Sequence, residues 1–274
     1  SLTNHGTITI TGPENPAENQ HDYLYGMRLN METTASADKK WALLNYGTIK
    51  VTGGYKQFAM YNGNPKLWYA HNNSYNYGVV YGDMLNVNNA AGAELYGKII
   101  VSGVNGETEV NDATDTGYTV GNIDNGNKDN IAISADDKEK GYIEYTLSGD
   151  DIAVVEVHQS SNDRYQRFNN YGVINAFNKV ADGTGIINID TKTTNNGYLK
   201  ITNLIDGASL SAMKKNTTKG NGIFNYGTLE VVANNTNNVK LYGILNNSEY
   251  YASQNIGTIK IDMTGNNNTA YGIY

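Results

Sequence analysis

Read as apolar and polar positions, the chain repeats one short phrase. An Asn-x-Gly bend is followed by a stretch in which polar and aliphatic side chains alternate. Four copies are close: Asn4-His5-Gly6-Thr7-Ile8-Thr9-Ile10, Asn45-Tyr46-Gly47-Thr48-Ile49-Lys50-Val51, Asn225-Tyr226-Gly227-Thr228-Leu229-Glu230-Val231 and Asn255-Ile256-Gly257-Thr258-Ile259-Lys260-Ile261. Looser copies start at Leu95, Asn170 and Asn196. A second phrase is expected just before the first, as in Trp41-Ala42-Leu43-Leu44-Asn45, Gly222-Ile223-Phe224-Asn225 and Tyr242-Gly243-Ile244-Leu245-Asn246. Tyr25-Gly26-Met27, Tyr77-Gly78-Val79 and Tyr271-Gly272-Ile273 are its relatives. Each first phrase reads as a turn and a strand, with Gly supplying positive φ at the bend and two aliphatics on one face at period two.

One such strand cannot bury its apolar face alone, but stacked copies form a continuous aliphatic column. Helical repeats need apolar spacings of three and four, which are missing; only Ser209 to Lys215 and Asp136 to Lys140 look weakly helical. Propeller blades need four longer strands joined by hairpins. The reading that fits is all-β, a right-handed parallel β-helix with irregular surface excursions, formed by residues 1–274 as one segment. About nine to eleven coils at a strand spacing of roughly 4.8 Å make a body about 45–55 Å long, and corner asparagines are expected to stack amide on amide.

Composition narrows the chemistry. Asn reaches 41 of 274 residues, far above ordinary usage. The net charge is -7 and only Arg28, Arg164 and Arg167 are arginines, which argues against nucleic acid or an anionic membrane surface as partner. No apolar run approaches the roughly 18 residues of a membrane helix. The absence of Cys excludes disulfides, thiolate zinc sites and a cysteine nucleophile. Ser1 reads as a mature end or a cut inside a longer chain.

With its Asn-Tyr-Gly-Thr-Ile-Lys-Val and Tyr-Gly-Ile-x-Asn phrases in an Asn-rich, Cys-free chain, the sequence resembles the passenger region of the large fusobacterial type Va autotransporter adhesins. That resemblance implies a β-helical stalk at the bacterial cell surface, anchored only through a C-terminal outer-membrane barrel that is absent from this chain. It implies a protein or glycan receptor on host cells or other bacteria, with no cofactor. The repeats identify scaffold and secretion route better than receptor.

Excursions in repeat scaffolds often carry binding. Four are expected, at about 12–25, 55–81, 103–140 and 158–168. The second is rich in aromatics, whose rigid surfaces dominate interfaces; Trp68, Tyr69, Tyr61 and His71 are its candidate partner-binding residues, with local packing over the coil as the rival reading. The fourth gathers His158, Asp163, Arg164 and Arg167; Arg164 and Arg167 are candidates for partner contact, against a surface salt-bridge reading. The run Asn122 to Asp129 is faintly like a calcium loop but lacks the closing Glu, so a solvated turn is expected and no metal site. The Asp136-Asp137 and Asp150-Asp151 pairs alternate faces and are not expected to act together. No hydrolase elbow, phosphate loop or zinc-protease motif is present, and no catalytic residue is expected. A β-helical polysaccharide hydrolase or lyase using Asp150 or Asp163 stays open as an alternative, as does a stalk without its own site. Alternating strands also carry an edge-pairing hazard at the two ends.

Overall fold

The computed structural model describes residues 1–14, 22–29, 41–62, 72–85, 87–102, 121–158, 166–188, 192–216, 222–249 and 252–274. The described residues form a parallel β-helix of nine coils, each with one strand in each of three nine-stranded parallel sheets. Coil 1 is Leu2–Asn4, Thr7–Thr11 and Tyr23–Leu29; coil 2 is Trp41–Asn45, Thr48–Thr52 and Lys56–Asn62. Coil 3 is Asn72–Asn76, Val79–Tyr81 and Asp83–Leu85; coil 4 is Asn88–Asn89, Glu94–Tyr96 and Ile99–Ser102. Coil 5 is Gly121–Asn125, Tyr142–Leu147 and Ala153–His158; coil 6 is Gln166–Asn170, Val173–Asn178 and Asp182–Asn188. Coil 7 is Lys192–Asn195, Tyr198–Asn203 and Ser209–Lys215; coil 8 is Ile223–Asn225, Thr228–Ala233 and Lys240–Asn246. Coil 9 is Gln254–Asn255, Thr258–Met263 and Thr269–Ile273. Nine rungs at the interstrand spacing span about 40 Å.

The alternation in the repeated phrase sets the second sheet. Its first inward position forms one register column, Ile8, Ile49, Val80, Leu95, Ile143, Ile174, Leu199, Leu229 and Ile259. The seven interior members are fully buried, and each fully buried aliphatic contributes about 1.5–3 kcal/mol. Buried residues of the other two sheets, among them Leu43, Phe168, Ile186 and Met213, complete the same core.

The Asn of the corner phrase closes every strand of the first sheet. Asn4, Asn45, Asn76, Asn89, Asn125, Asn170, Asn195, Asn225 and Asn255 form an unbroken ladder in which each Nδ2 donates to Oδ1 of the next coil at 2.7 to 3.2 Å. The same amides also donate to corner carbonyls, as Asn195 does to Gly197 and Thr228. Buried amides are tolerated because donor and acceptor are both satisfied.

Four expectations need correction. The corner glycines Gly47, Gly78, Gly172, Gly197, Gly227 and Gly257 do not adopt positive φ; a Cβ on each would lie 2.0 to 2.3 Å from a backbone oxygen of the preceding coil, so close approach is what requires Gly there. Ser209–Lys215 is a strand whose apolar residues lie inside coil 7, and Asp136 to Lys140 reduces to one 3-10 turn at Lys138–Lys140. The second phrase is not one element: Trp41–Asn45 and Ile223–Asn225 belong to the first sheet, Lys240–Asn246 to the third, and Tyr77-Gly78 is a corner. The supposed excursions contain coil strands, namely Tyr23–Leu29, Lys56–Asn62, Asn72–Asn76, Val79–Tyr81, Gly121–Asn125 and Gln166–Asn170. Several of these place Ser74, Asn76 or Asn125 inward, so aliphatic alternation does not reveal them.

Candidate functional site

Aromatic side chains gather on the outside of coils 1 to 4. On the third sheet two consecutive residues turn inward in each of the first two coils, Gly26-Met27 and Ala59-Met60. This kink leaves Tyr25 and Arg28 outside coil 1, in register with Phe58 and Tyr61 of coil 2. Tyr25 stacks on Phe58 with centroids 5.6 Å apart, and Tyr61 meets both rings edge-on at 5.2 Å. The exposed Arg28 guanidinium lies 4.5 Å from the Tyr25 centroid and 5.7 Å from that of Tyr61, an arrangement that holds a cation over aromatic faces. Tyr23 and Tyr55, both about half exposed, meet edge-on beside them.

Two further aromatic columns follow the coil spacing. At the first corner His5, Tyr46 and Tyr77 stack at 5.0 and 4.9 Å, with Tyr75 against Tyr77. On the second sheet Tyr81 stacks on Tyr96 at 4.7 Å, and Lys50 lies over Tyr81. Partial burial raises the phenol pKa of Tyr77, with help from Tyr46 and Tyr75. Burial and a hydrogen bond to Glu94 push Tyr96 up to about 12. These hydroxyls are therefore neutral donors near pH 7. Stacked rings cover one another's faces, so the columns offer edges and hydroxyls outward.

Among the residues expected to bind a partner, Tyr61 is placed in this aromatic group. Trp68, Tyr69, His71 and Arg164 lie outside the described residues, as does Asp163. Arg167 stands in coil 6 in register with Asn122 and Lys192. Asn122 to Asn125 lies in a strand rather than a loop; Asp124 accepts a hydrogen bond from Asn169, and exposed Asp129 pairs with Lys128. Asp137 caps its own loop by accepting from the N–H groups of Ile133 and Ser134, which lowers its pKa.

A polar group that pattern reading missed sits where coils 3, 4 and 5 turn from the second to the third sheet. Lys98 Nζ lies 2.9 Å from Asp151 and 3.2 Å from Glu156, all three largely buried. Tyr145 donates to the second oxygen of Asp151 at 2.9 Å, and the Lys98 N–H approaches Asp83 at 3.4 Å. Burial pushes the Asp83 carboxyl up to about 6, against the pull of Lys98. Asp150 is exposed and takes no part, so the Asp150-Asp151 pair is split. The members are 53 and 58 residues apart in sequence, and only the coil register joins them. Two coil 5 carboxylates pair with the Lys98 ammonium and Asp83 accepts from its backbone N–H, so the group ties coils 3, 4 and 5 together. Among the described residues no group of His, Asp and Glu is arranged to hold a metal ion.

No protein-family model, no curated protein and no solved structure matches this chain.

Proposed function

We propose that this chain is a segment of an extracellular bacterial adhesin, the passenger of a type V secretion system, which presents an aromatic surface on a rigid rod. The observation that carries the reading is the concentration of exposed tyrosines, Tyr23, Tyr46, Tyr55, Tyr77 and Tyr81, on the first three coils. Single exposed apolar residues are ordinary, whereas clustered aromatics beside a cation suit a recognition surface. The segment with Trp68, Tyr69 and His71 connects two strands of this same region, Lys56–Asn62 and Asn72–Asn76. Because stacked rings leave edges and hydroxyls outward, a host-cell or bacterial surface protein fits better than a sugar ring needing an open aromatic face. Delivery to the surface rests on the sequence resemblance.

The test is binding of the purified chain to host cells, partner bacteria and a glycan array, beside an Arg28→Ala/Tyr61→Ala variant and a Trp68→Ala/Tyr69→Ala variant of unchanged circular dichroism. Loss of cell binding in either variant, with the glycan array silent, supports this site and a protein receptor. Binding as strong as that of the unchanged chain in both variants sinks the site.

A stalk without its own receptor is the second reading, and the unbroken Asn ladder favours it, since an uninterrupted column serves rigidity. Absence of binding to every surface tested selects it.

A further inference from the structure

We propose that the Lys98–Asp151 ion pair matures into a covalent isopeptide bond, Lys98 Nζ joined to Asp151 Cγ with loss of one water, so that an amide staples coil 4 to coil 5. The side chains present what acyl transfer to an amine requires: a nucleophile, a carbonyl, donors for the oxygen that takes up charge, and a group that moves the proton.

The nucleophile is held at its backbone. The Lys98 carbonyl accepts from the Met84 N–H at 2.8 Å, and the Lys98 N–H approaches Asp83 at 3.4 Å. Its side chain is 10% exposed and its Nζ lies 2.9 Å from Asp151 Oδ1. The carboxyl is held as well. Ser148 to Asp151 form a tight turn with Gly149 at φ 58°, in which the Asp151 N–H donates to the Ser148 carbonyl at 3.1 Å. Asp151 Oδ2, the oxygen away from Lys98, accepts from the Tyr145 O–H at 2.9 Å and the Ser148 N–H at 3.1 Å. Negative charge collects on that oxygen when an amine adds to Cγ, so the two donors are placed as an oxyanion site. Burial and the carboxylates of Asp83 and Asp151 raise the Tyr145 phenol pKa, which keeps it a donor. Glu156 Oε1 stands 3.2 Å from the same Nζ, its side chain 12% exposed, within reach to carry a proton.

Burial alone would lower the Lys98 pKa, but Glu156, Asp151 and Asp83 hold it above the ordinary value, so the pair starts as ammonium and carboxylate. One proton crosses from Nζ to Asp151 Oδ1, leaving a neutral amine and a neutral acid, a transfer that shielding from water makes easier. Nζ then adds to Cγ and the carbonyl π pair moves to Oδ2. Glu156 takes a second proton from the nitrogen and returns it to Oδ1. The Cγ–Oδ1 bond breaks, water leaves, and the Oδ2 pair re-forms the carbonyl. The third proton stays on the amide nitrogen, the net charge is unchanged, and Glu156 is recovered. Holding both reactants in place gives effective molarities on the order of 10⁵–10⁸ M, which drives the loss of water.

The link falls where the stack is thinly paired. Coils 4 and 5 meet in register only at Asn89 and Asn125 in the first sheet, and at Glu94 with Tyr142 and Leu95 with Ile143 in the second. Lys98 and Asp151 are 53 residues apart, so joining them restricts the unfolded chain as a disulfide would, in a sequence without Cys. Hydrogen bonds on Asp151 Oδ2 also serve a plain ion pair, and only the covalent bond separates the two.

The experiment is intact-mass spectrometry of the full purified chain, followed by protease digestion and sequencing of any branched peptide. Wild type is expected to weigh one water less than its sequence and to yield a branch joining Lys98 to Asp151. Lys98→Arg and Asp151→Ala should each weigh the full sequence mass. Glu156→Gln, checked for wild-type circular dichroism, should form the bond at least about 10²-fold more slowly, followed as mass against time after cell-free synthesis. A wild type of full sequence mass overturns the proposal, whatever the variants do. So does a water loss that persists in Lys98→Arg, a branch between other residues, or bond formation in Glu156→Gln at the wild-type rate.

Discussion

At Gly197 and Gly227 a Cβ would lie 2.3 and 2.1 Å from the carbonyl oxygen of the corner glycine one coil earlier, distances no side chain occupies without moving backbone. Gly227→Ala is therefore expected to cost about 3 kcal/mol or more, read as a lowered urea midpoint, while Gly207→Ala is milder because open space surrounds it and only its positive φ is strained. Equal costs at the two positions would remove close approach as the reason for corner glycine. Asp83 makes the complementary point about charge. Its carboxyl ionises at about 6 in the folded chain because burial disfavours the anion, whereas the unfolded residue ionises near the ordinary value of about 3.9. A raised carboxylate pKa means the folded state holds the proton more tightly between those values. That stabilisation is complete below the unfolded pKa and is lost as pH rises through about 6. Asp83→Asn should raise the unfolding free energy at pH 7 by an amount on the order of 2–3 kcal/mol, read as a higher melting temperature, and leave it nearly unchanged at pH 4. A variant less stable than wild type at pH 7 would show that the attraction to Lys98 outweighs desolvation.

At the scale of the element, the second sheet was legible because its inward positions are aliphatic and alternate at period two, as Thr48-Ile49-Lys50-Val51 illustrates. The first sheet was less so, since its last inward residue is always Asn and others are Ser74 or Thr193, polar residues that alternation assigns to a surface. The corner Asn ladder was legible in kind from the phrase itself. The third sheet hid behind its kink: two consecutive inward residues, such as Ala59-Met60, break the two-residue period. The kink also sets Tyr25 and Arg28 on one side, so the aromatic group around Tyr61 could not be assembled from spacing. The Lys98 network was invisible for a different reason, being built from three coils of unequal length. The ladder predicts a graded response. Asn170→Ala removes an amide bonded to Asn125 and Asn195 and leaves buried partners unpaired, which costs about 2–4 kcal/mol. Asn4→Ala, at the open end with one ladder partner, should cost less than half as much. Equal chemical-denaturation midpoints for the two would show that the rungs do not act as buried amides.

For the whole molecule, the sheet orders place each coil against only its two neighbours along the axis. Stability of such a stack is close to a sum of coil terms and nearest-neighbour interfaces. A chain ending at Asn216, after the third strand of coil 7, removes coils 8 and 9 and every residue they supply to the core. It leaves the rungs from Asn4 to Asn195 with the ladder partners they have in the full chain, apart from the forward partner of Asn195. The shortened chain is expected to keep its β-sheet circular dichroism per residue. Its amide protection in coils 4 to 6 should match that of the full chain, with faster exchange confined to coil 7, now the exposed end. Interior protection depends on local opening, and opening coil 5 breaks the same two interfaces whether or not coils 8 and 9 are present. Collapse of protection throughout coils 1 to 6 would mean that the rod unfolds as one cooperative body. The nearest-neighbour account of its rigidity, and with it the idea of a reach that scales with coil number, would then have to be given up.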